Sequence, residues 1–521
     1  MNPGSDTSRA RYDLVIACTA ALSLRLVYLF LIGRVIDMPD AIHYIDMARL
    51  FASGEAHAFD ENLPVLYPAL GAAMHLFVGD WEHAFWMASL LFSTLLVIPV
   101  YLLTRELFGQ WSARIAVLTV CLWPWLMDYG SRIAPESVAI FFWFLGIVLL
   151  HRGIERGGAW PVAAAVSLFA LHLTRPEGTF ILLAAPVGGL ILSLGRERIH
   201  IRRLATFTVT VLLLLAAYSA VMYALVGTAT VSYRAPMTSD LFDYFRRGGT
   251  EFVRTFMRLF YNEMPVMLGP VLLLFLGVGV FRSSERPRAL RLEFLILFFC
   301  GVQFGLTLAN FSPAPRYIMP IVVALSLWSA RGIELVTRQI VASNAPRWLR
   351  FAPIGAMVAA MLLGALSDVA GQYLGAMPRM PREYKIAGQW MKENLEPGYV
   401  ISRKPQVGYY ANMPTTGPAA DAHPKDIVEM ARNLGARYVV IDERYTASIV
   451  PGLRPLLDPQ KAPAAFKLHR ADLSPYPGAR IVIYEIVAPG IRYLTPEEFP
   501  SATSHMGPDE PRRKPAPQLE P

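Results

Sequence analysis

About eleven apolar runs, separated by short polar loops, occupy most of the first 370 residues and decide what this chain can become. They lie near Leu14–Ile32, Phe85–Leu103, Ala113–Met127, Val138–His151, Val162–Leu173, Thr179–Leu194, Leu204–Val226, Val266–Phe281, Phe294–Ala309, Ile318–Ser329 and Ala352–Leu366. In lipid a helix satisfies its own backbone hydrogen bonds, so each run is expected to be a transmembrane helix, several of them short. Hydrophobic residues make up 54% of the 521, too many for a soluble chain of this length. The first run lacks a small-residue cleavage site and carries Arg25, which marks it as an uncleaved span rather than a signal peptide.

The net charge of +8 is almost entirely arginine before the C-terminal part, because the first lysine is Lys385. Arg105 and Arg114, Arg152 and Arg156, Arg196 to Arg203, Arg282 to Arg291 and Arg331 to Arg350 fall in alternate loops. The positive-inside rule makes those loops cytoplasmic and the N-terminus with them. The loops with Asp40, Arg132, Arg175, Tyr233 and Arg316 then face outward, in a multi-pass protein of the inner or plasma membrane. No basic surface with interleaved aromatics is present, so nucleic acid is not an expected partner. Cys18, Cys121 and Cys300 all lie in apolar runs and imply no disulfide framework.

An odd number of spans places the chain after Leu366 outside. There the pattern is α/β, with helices expected over Arg382–Asn394 and Pro424–Leu434 and strands near Tyr399–Ser402, Tyr438–Asp442 and Arg480–Val487. Three parts follow: a transmembrane region over 1–370, an external α/β domain over 371–488 and a disordered, Pro-rich tail over 489–521. DAHPKD, with Asp421, His423 and Asp426, reads as a turn and helix start. The outer segment Phe242–Phe260 reads as an amphipathic helix in the membrane interface.

The first outer loop, MPDAIHYIDMARLFASGE, contains a short amphipathic helix from Ala41, with Ala41, Ile45, Ala48 and Ala52 on one stripe. Asp40 stands at its N-terminal edge, where a carboxylate either caps free backbone N–H groups or does chemistry in the interface. The outer face also collects Arg132 and Glu136, Arg175 and Glu177, Arg234, and Arg316 with Tyr317. Each arginine taken singly is better explained by snorkelling or internal pairing, such as Arg175 with Glu177. As a set beside a carboxylate they suit transfer of a group off a phosphate, the carboxylate deprotonating an acceptor hydroxyl and the arginines holding the leaving phosphate.

The residues Asp40 and Tyr44 with ARLFASGE, LYPALGAAMHLFVG, LLVIPVYLLTRELFG, SRIAPES, LTRPEG and APRYIMP make the chain resemble the GT-C class of polyprenyl-phosphate-sugar-dependent glycosyltransferases. The similar branch holds protein O-mannosyltransferases and lipid A aminoarabinose transferases, and the likeness runs from about Asp37 to Glu334. By this resemblance Asp40 is the catalytic residue of an inverting transfer. Tyr44, Arg132, Glu136, Arg175, Arg234, Arg316 and Tyr317 then bind a sugar carried on a long isoprenoid phosphate. The acceptor is a lipid, glycan or protein hydroxyl, and membrane lipids are the remaining partners. Those branches carry Asp-Glu where this chain has Asp40-Ala41, and no Trp-Trp-Asp motif is present.

No Asp-x-Asp or His-Glu spacing marks the outer loops, so no metal and no cofactor beyond the donor is implied. His43, His75 and His83 are expected to be solvated or hydrogen-bonded. Two other classes compete: a transporter or flippase of lipid-linked sugars, which predicts paired repeats and broken helices, and an inactive scaffold with a binding ectodomain. The C-terminal domain is expected to recognise the acceptor.

Overall fold

A computed structural model of the chain describes residues 3–54, 63–193, 198–226, 249–281, 287–308, 314–343, 345–374, 378, 380–473 and 476–499. The chain divides into two compact units, Met1–Leu31 with Phe51–Val369, and Ile32–Leu50 with Ala370–Pro521.

The first unit is helical. Among the described residues, eight helices are long and apolar enough to cross a membrane, and four shorter apolar helices accompany them. The runs account for eleven of these twelve elements, though Ala113–Met127 extends past Gln110–Leu122, breaks at Trp123 and ends in the short helix Pro124–Gly130; the protein is a multi-pass membrane protein of mainly α class. The remaining one is Leu66–Val78, whose 13 residues rise about 20 Å and fall short of the hydrocarbon thickness. The Phe85–Leu103 run is two helices, Trp81–Leu95 and Val97–Phe108, meeting at Leu96. Of the Phe242–Phe260 segment, residues 242–248 lie outside the described residues. The rest does not form a separate helix, because it continues through Arg258–Glu263 into Met264–Phe281. That helix breaks at Gly269, where φ is +73° and Pro270 follows.

Helices in lipid have no hydrophobic drive toward each other, so they associate by close packing and interior polar bonds. Gly279 and Gly332 supply the packing, since a Cβ on either would collide with the backbone of the facing helix. Arg25 supplies the polar bonds. It is fully buried, with Nε on Ser93 Oγ at 2.6 Å, Nη1 on Ala21 O at 3.2 Å and Nη2 on Val120 O at 3.1 Å. An arginine inside a span thus joins three helices instead of reaching for the membrane surface. At the ends read as cytoplasmic, Arg114 grips Asp13 through two 3.0 Å bonds and Arg152 binds Glu106 at 2.7 Å.

The second unit is built on a five-stranded sheet of order β2-β1-β3-β5-β4, with β1 Tyr399–Ser402, β2 Thr415–Thr416, β3 Ala436–Asp442, β4 Phe466–Arg470 and β5 Ile481–Ile486. Strands β2, β1 and β3 are parallel, and β5 runs antiparallel to both β3 and β4. Period-2 alternation gives the sheet two buried faces. Tyr399, Ile401, Val439, Ile441, Val482 and Tyr484 pack with Ile427 and Ala431 of helix Pro424–Leu434. Val400, Tyr438, Val440, Ile481 and Ile483 pack with Tyr384, Ala387 and Met391 of helix Arg382–Asn394. DAHPKD is a helix start, as expected: His423 N–H donates to Asp426 Oδ2 at 2.8 Å in a capping box.

The segment after Pro489, expected to lack structure, is ordered through Phe499. Leu494 N–H donates to Gly435 O at 3.1 Å, Tyr493 Oη–H donates to Ile486 O at 2.7 Å, and Ile491 and Leu494 pack on the core. Three large apolar side chains in four residues, Ile491, Tyr493 and Leu494, give it something to bury. Residues 500–521 lie outside the described residues.

Segment Ile32–Leu50 belongs to this second unit, and with it Asp40. Helix Asp40–Ser53 is less amphipathic than its sequence suggests, because Ala41, Ile42, Tyr44, Ile45, Asp46, Met47, Ala48 and Leu50 are all buried.

Candidate functional site

At the ends of the first unit read as outward, three motifs meet. SRIAPES ends one turn and starts helix Glu136–Arg156, so that Glu136 occupies its first turn, where a carboxylate faces free backbone N–H groups. LTRPEG joins helix Trp160–Thr174 to helix Glu177–Ser193 in a tight turn. Only glycine fits at 178, since a Cβ there would meet the Leu171 carbonyl and the His172 nitrogen. APRYIMP forms a single 3-10 turn, Pro315–Ile318, ahead of helix Met319–Ala342.

These turns bring Glu136, Arg175, Glu177, Arg316 and Tyr317 together. Arg175 Nη1 donates to Glu136 Oε1 at 2.7 Å, while its Nε and Nη2 reach Glu177 at 3.2 and 3.3 Å. Arg316 Nε lies 3.5 Å from the same Glu136 oxygen. Both guanidiniums stand over the Tyr317 ring, at 4.9 Å for Arg175 and 5.4 Å for Arg316. Gln303 holds the turn by donating from Nε2 to Tyr317 O at 3.0 Å. Burial opposes the charge on Arg175, but Glu177 and Glu136 overcome it and hold the guanidinium well above the usual arginine range.

The cluster lines a narrow, partly open pocket. The lining includes Glu136, Ala139, Ile140, Trp143, Gln303 and Pro320 besides the two arginines. Glu136 Oε2 and Trp143 Nε1 are buried there without a hydrogen-bond partner among the described residues. Arg132 stands on a neighbouring turn, paired to Asp128 at 2.9 Å and set over the Tyr129 ring at 5.0 Å. Burial pushes the Tyr129 hydroxyl up to about 12, so it stays a hydrogen-bonding phenol at neutral pH.

The three described arginines of the expected phosphate-binding set therefore each face a carboxylate, and the internal pairing of Arg175 with Glu177 is present. Three guanidiniums against Asp128, Glu136 and Glu177 leave no net charge. An incoming anion must compete with a carboxylate or loosen one. Arg234 and Tyr233 lie outside the described residues.

Asp40 is exposed at the first position of its helix, after Pro39, with Ala41 N–H on Met38 O at 3.2 Å and Ile42 N–H on Pro39 O at 3.1 Å. Tyr44 is buried one turn on. Asp37 pairs with buried Arg34 at 3.6 Å. His75 packs edge-on against Trp81 and His83 bonds Asp80. Among the described residues no three His, Cys, Asp or Glu side chains stand close enough to hold a metal. Sequence reasoning missed Asp128, Trp143 and Gln303, which carry no motif of their own and matter only through the cavity that tertiary packing forms.

Residues 62–223 match the family model described as dolichyl-phosphate-mannose-protein mannosyltransferase. Three solved structures share the fold. The oligosaccharyltransferase of Archaeoglobus fulgidus in its apo form superposes with a TM-score of 0.60 at 16% identity, covering 83% of this chain and 69% of that one. AglB of the same organism, in complex with an inhibitory peptide and a dolichol-phosphate, gives 0.57 at 14%, covering 93% and 75%. ArnT of Cupriavidus metallidurans, bound to undecaprenyl phosphate, gives 0.58 at 15%, covering 92% of this chain and 99% of that one. No curated protein sequence matches. The expected resemblance to GT-C glycosyltransferases holds, and the fold is theirs.

Proposed function

We propose that this protein is a membrane glycosyltransferase of the GT-C class that moves a sugar from a polyprenyl-phosphate donor to an acceptor hydroxyl. The observation that carries the reading is this chain's Glu136–Arg175–Arg316–Tyr317 cluster lining a pocket, in a fold whose solved members include complexes with lipid phosphates. A buried ionic cluster at one end of a membrane bundle is costly unless it meets a substrate. In this reading the guanidiniums of Arg132, Arg175 and Arg316, with Arg234, stabilise the phosphate as it leaves, and Glu136 keeps two of them in register. Tyr44 and Tyr317 contribute to binding the donor.

Asp40 acts as the general base. It takes the proton of the acceptor hydroxyl as that oxygen attacks the anomeric carbon, the bond to the phosphate oxygen breaks, and the configuration inverts. The carboxylate and the guanidiniums carry the reaction without a metal or an organic cofactor. The distribution of arginine between loops supports a cytoplasmic N-terminus, with Asp40 and the second unit outside the cell membrane. The acceptor is a lipid, glycan or protein.

The test uses the purified protein in detergent with radiolabelled polyprenyl-phosphate sugars and membrane acceptors, and looks for transfer. Asp40→Asn keeps the size and the capping ability of the side chain but cannot accept a proton. The expected loss is roughly 100- to 10,000-fold in rate with donor binding unchanged. Full activity in Asp40→Asn would leave Asp40 as a helix cap and remove it from the mechanism.

A further inference from the structure

We infer that the C-terminal part of the chain sets the position of Asp40, with Tyr410 and Arg382 as positioning residues for the transfer reaction. The inference rests on the reading of Asp40 as general base. It assigns the α/β unit a part in catalysis that acceptor recognition does not cover.

Between the first helix and Asp40 the chain has no regular structure to hold it, yet Arg34, Val35 and Ile36 are buried. Val35 and Ile36 are 6% and 1% exposed, so their backbone groups need partners from elsewhere in the fold. The C-terminal part supplies one for Ile36 and binds the carbonyls just before this stretch. Arg382 Nη2 donates to Ile32 O at 3.2 Å and reaches Gly33 O at 3.5 Å, a cation on the open carbonyls of a helix end. Gly33 adopts φ +58°, and a Cβ there would run into the same guanidinium. Arg34 places Nη1 3.4 Å from Met380 Sδ. Ile36 N–H donates to Tyr410 Oη at 3.0 Å, only four residues before Asp40.

Beyond Asp40 the fastening continues, with the Arg49 guanidinium 5.3 Å from the centre of the Tyr409 ring. Both sides of Asp40 are therefore tied to one support, helix Arg382–Asn394 and helix Gln406–Ala411. That support is itself tight. Gly388 lets the two helices touch, since a Cβ there would meet Val407 O and Tyr410 Cβ. Lys385 Nζ sits 5.1 Å from the Tyr410 ring centre and orients the ring whose hydroxyl holds Ile36. A general base works only within a few tenths of an ångström of its place, and the sole regular element carrying Asp40 starts at Asp40 itself. The pins at Ile32 and Ile36 fix where that helix begins.

The experiment compares Tyr410→Phe and Arg382→Ala with the parent in the full-length protein, reading kcat, both KM values and amide exchange over residues 34–40. Tyr410→Phe removes one hydroxyl and keeps the ring under Lys385. Expected are faster exchange over 34–40 and a fall of about 10- to 100-fold in kcat with both KM values held. Arg382→Lys, which retains a donor, recovers part of the rate lost in Arg382→Ala. In an Asp40→Asn background Tyr410→Phe lowers the residual rate no further, because Tyr410 acts only through Asp40. Wild-type kcat in both single variants overturns the inference, whether or not exchange quickens. So does a further loss in the Asp40→Asn background. Full activity in Asp40→Asn alone overturns instead the reading on which the inference rests.

Discussion

The two ends of the helical unit use the same residue types for different purposes. At the end read as cytoplasmic, Asp13 serves Arg114 and Glu106 serves Arg152 and His151, in pairs whose members keep 12–39% of their side-chain surface in solvent. At the outer end Glu136 is 2% exposed and serves two arginines, while Arg175 serves two carboxylates. The first arrangement ties neighbouring helices at modest cost and is screened by water and salt. In the second Glu136 itself is withdrawn from water, while Arg175 and Arg316 keep 15% and 21% of their side-chain surface; Glu136 Oε2 and Trp143 Nε1, like Glu106 Oε2 at the other end, have no hydrogen-bond partner among the described residues, and the first two line a pocket. Burial of a shared carboxylate is not by itself the difference, since at the end read as cytoplasmic Glu334 is 4% exposed and serves Arg331 and Arg338; the outer cluster differs in that Arg175 also serves a second carboxylate and the group lines a pocket. A ligand at the pocket would offset part of the electrostatic cost of that burial.

Removing the shared carboxylate breaks the comparison most strongly. Glu136→Gln leaves the half-buried Arg175 and Arg316 with one fewer counter-charge, at a cost of about 3 kcal/mol. Glu106→Gln at the other end costs about 1 kcal/mol, because Glu106 keeps 22% of its side-chain surface in solvent against 2% for Glu136. Thermal unfolding in detergent measures both, and transfer activity should vanish in Glu136→Gln alone. Equal destabilisation in the two variants would show that the outer cluster is no more than another helix tie.

Much of this was legible in the sequence, and what was not has physical reasons. The eleven runs marked helices because apolar length is read directly from composition, and Leu66–Val78 escaped because 13 residues with Pro68 and His75 do not look like a span. Strands β1, β3 and β5 and both sheet-covering helices followed from alternation and 3.6-residue periodicity. Strand β2 has only two residues, and in β4 only Phe466 is buried, so neither carries a pattern. The motifs SRIAPES, LTRPEG and APRYIMP were expected at one end of the bundle, and the structure brings Glu136, Arg175 and Arg316 of these motifs together there. Which carboxylate each arginine would find was not readable, because Arg175 and Glu136 are 39 residues apart and meet only when two turns fold against each other. Tyr410 left no trace at all, since its partner is a backbone N–H 374 residues away.

Fork geometry sharpens the comparison. Arg175 uses Nε, Nη1 and Nη2 at once, toward two carboxylates, and lies over Tyr317. Lysine offers one compact ammonium and cannot reproduce that fork, so Arg175→Lys should lose about 2 kcal/mol of stability although the charge is kept. Donor affinity measured with a labelled polyprenyl phosphate should fall with it. Unchanged affinity would remove Arg175 from the donor site.

The smallest effect belongs to the opposite end and serves as the reference for the others. Arg114 is 39% exposed and holds Asp13 through two 3.0 Å bonds, with Tyr101 and Gln110 also donating to Asp13. In Arg114→Gln those two donors remain, so Asp13 stays hydrogen-bonded and only a partly screened ion pair is lost. The expected change is under about 1 kcal/mol at low salt, shrinking further in concentrated salt as the Debye length contracts. Transfer activity should match the parent. The same salt series run on Glu136→Gln should leave its larger deficit in place, because ions do not reach a carboxylate buried this deeply. A salt response of equal size at both ends would mean that the outer cluster is as open to solvent as the inner pairs, and the contrast between the two ends would then carry no information about a ligand.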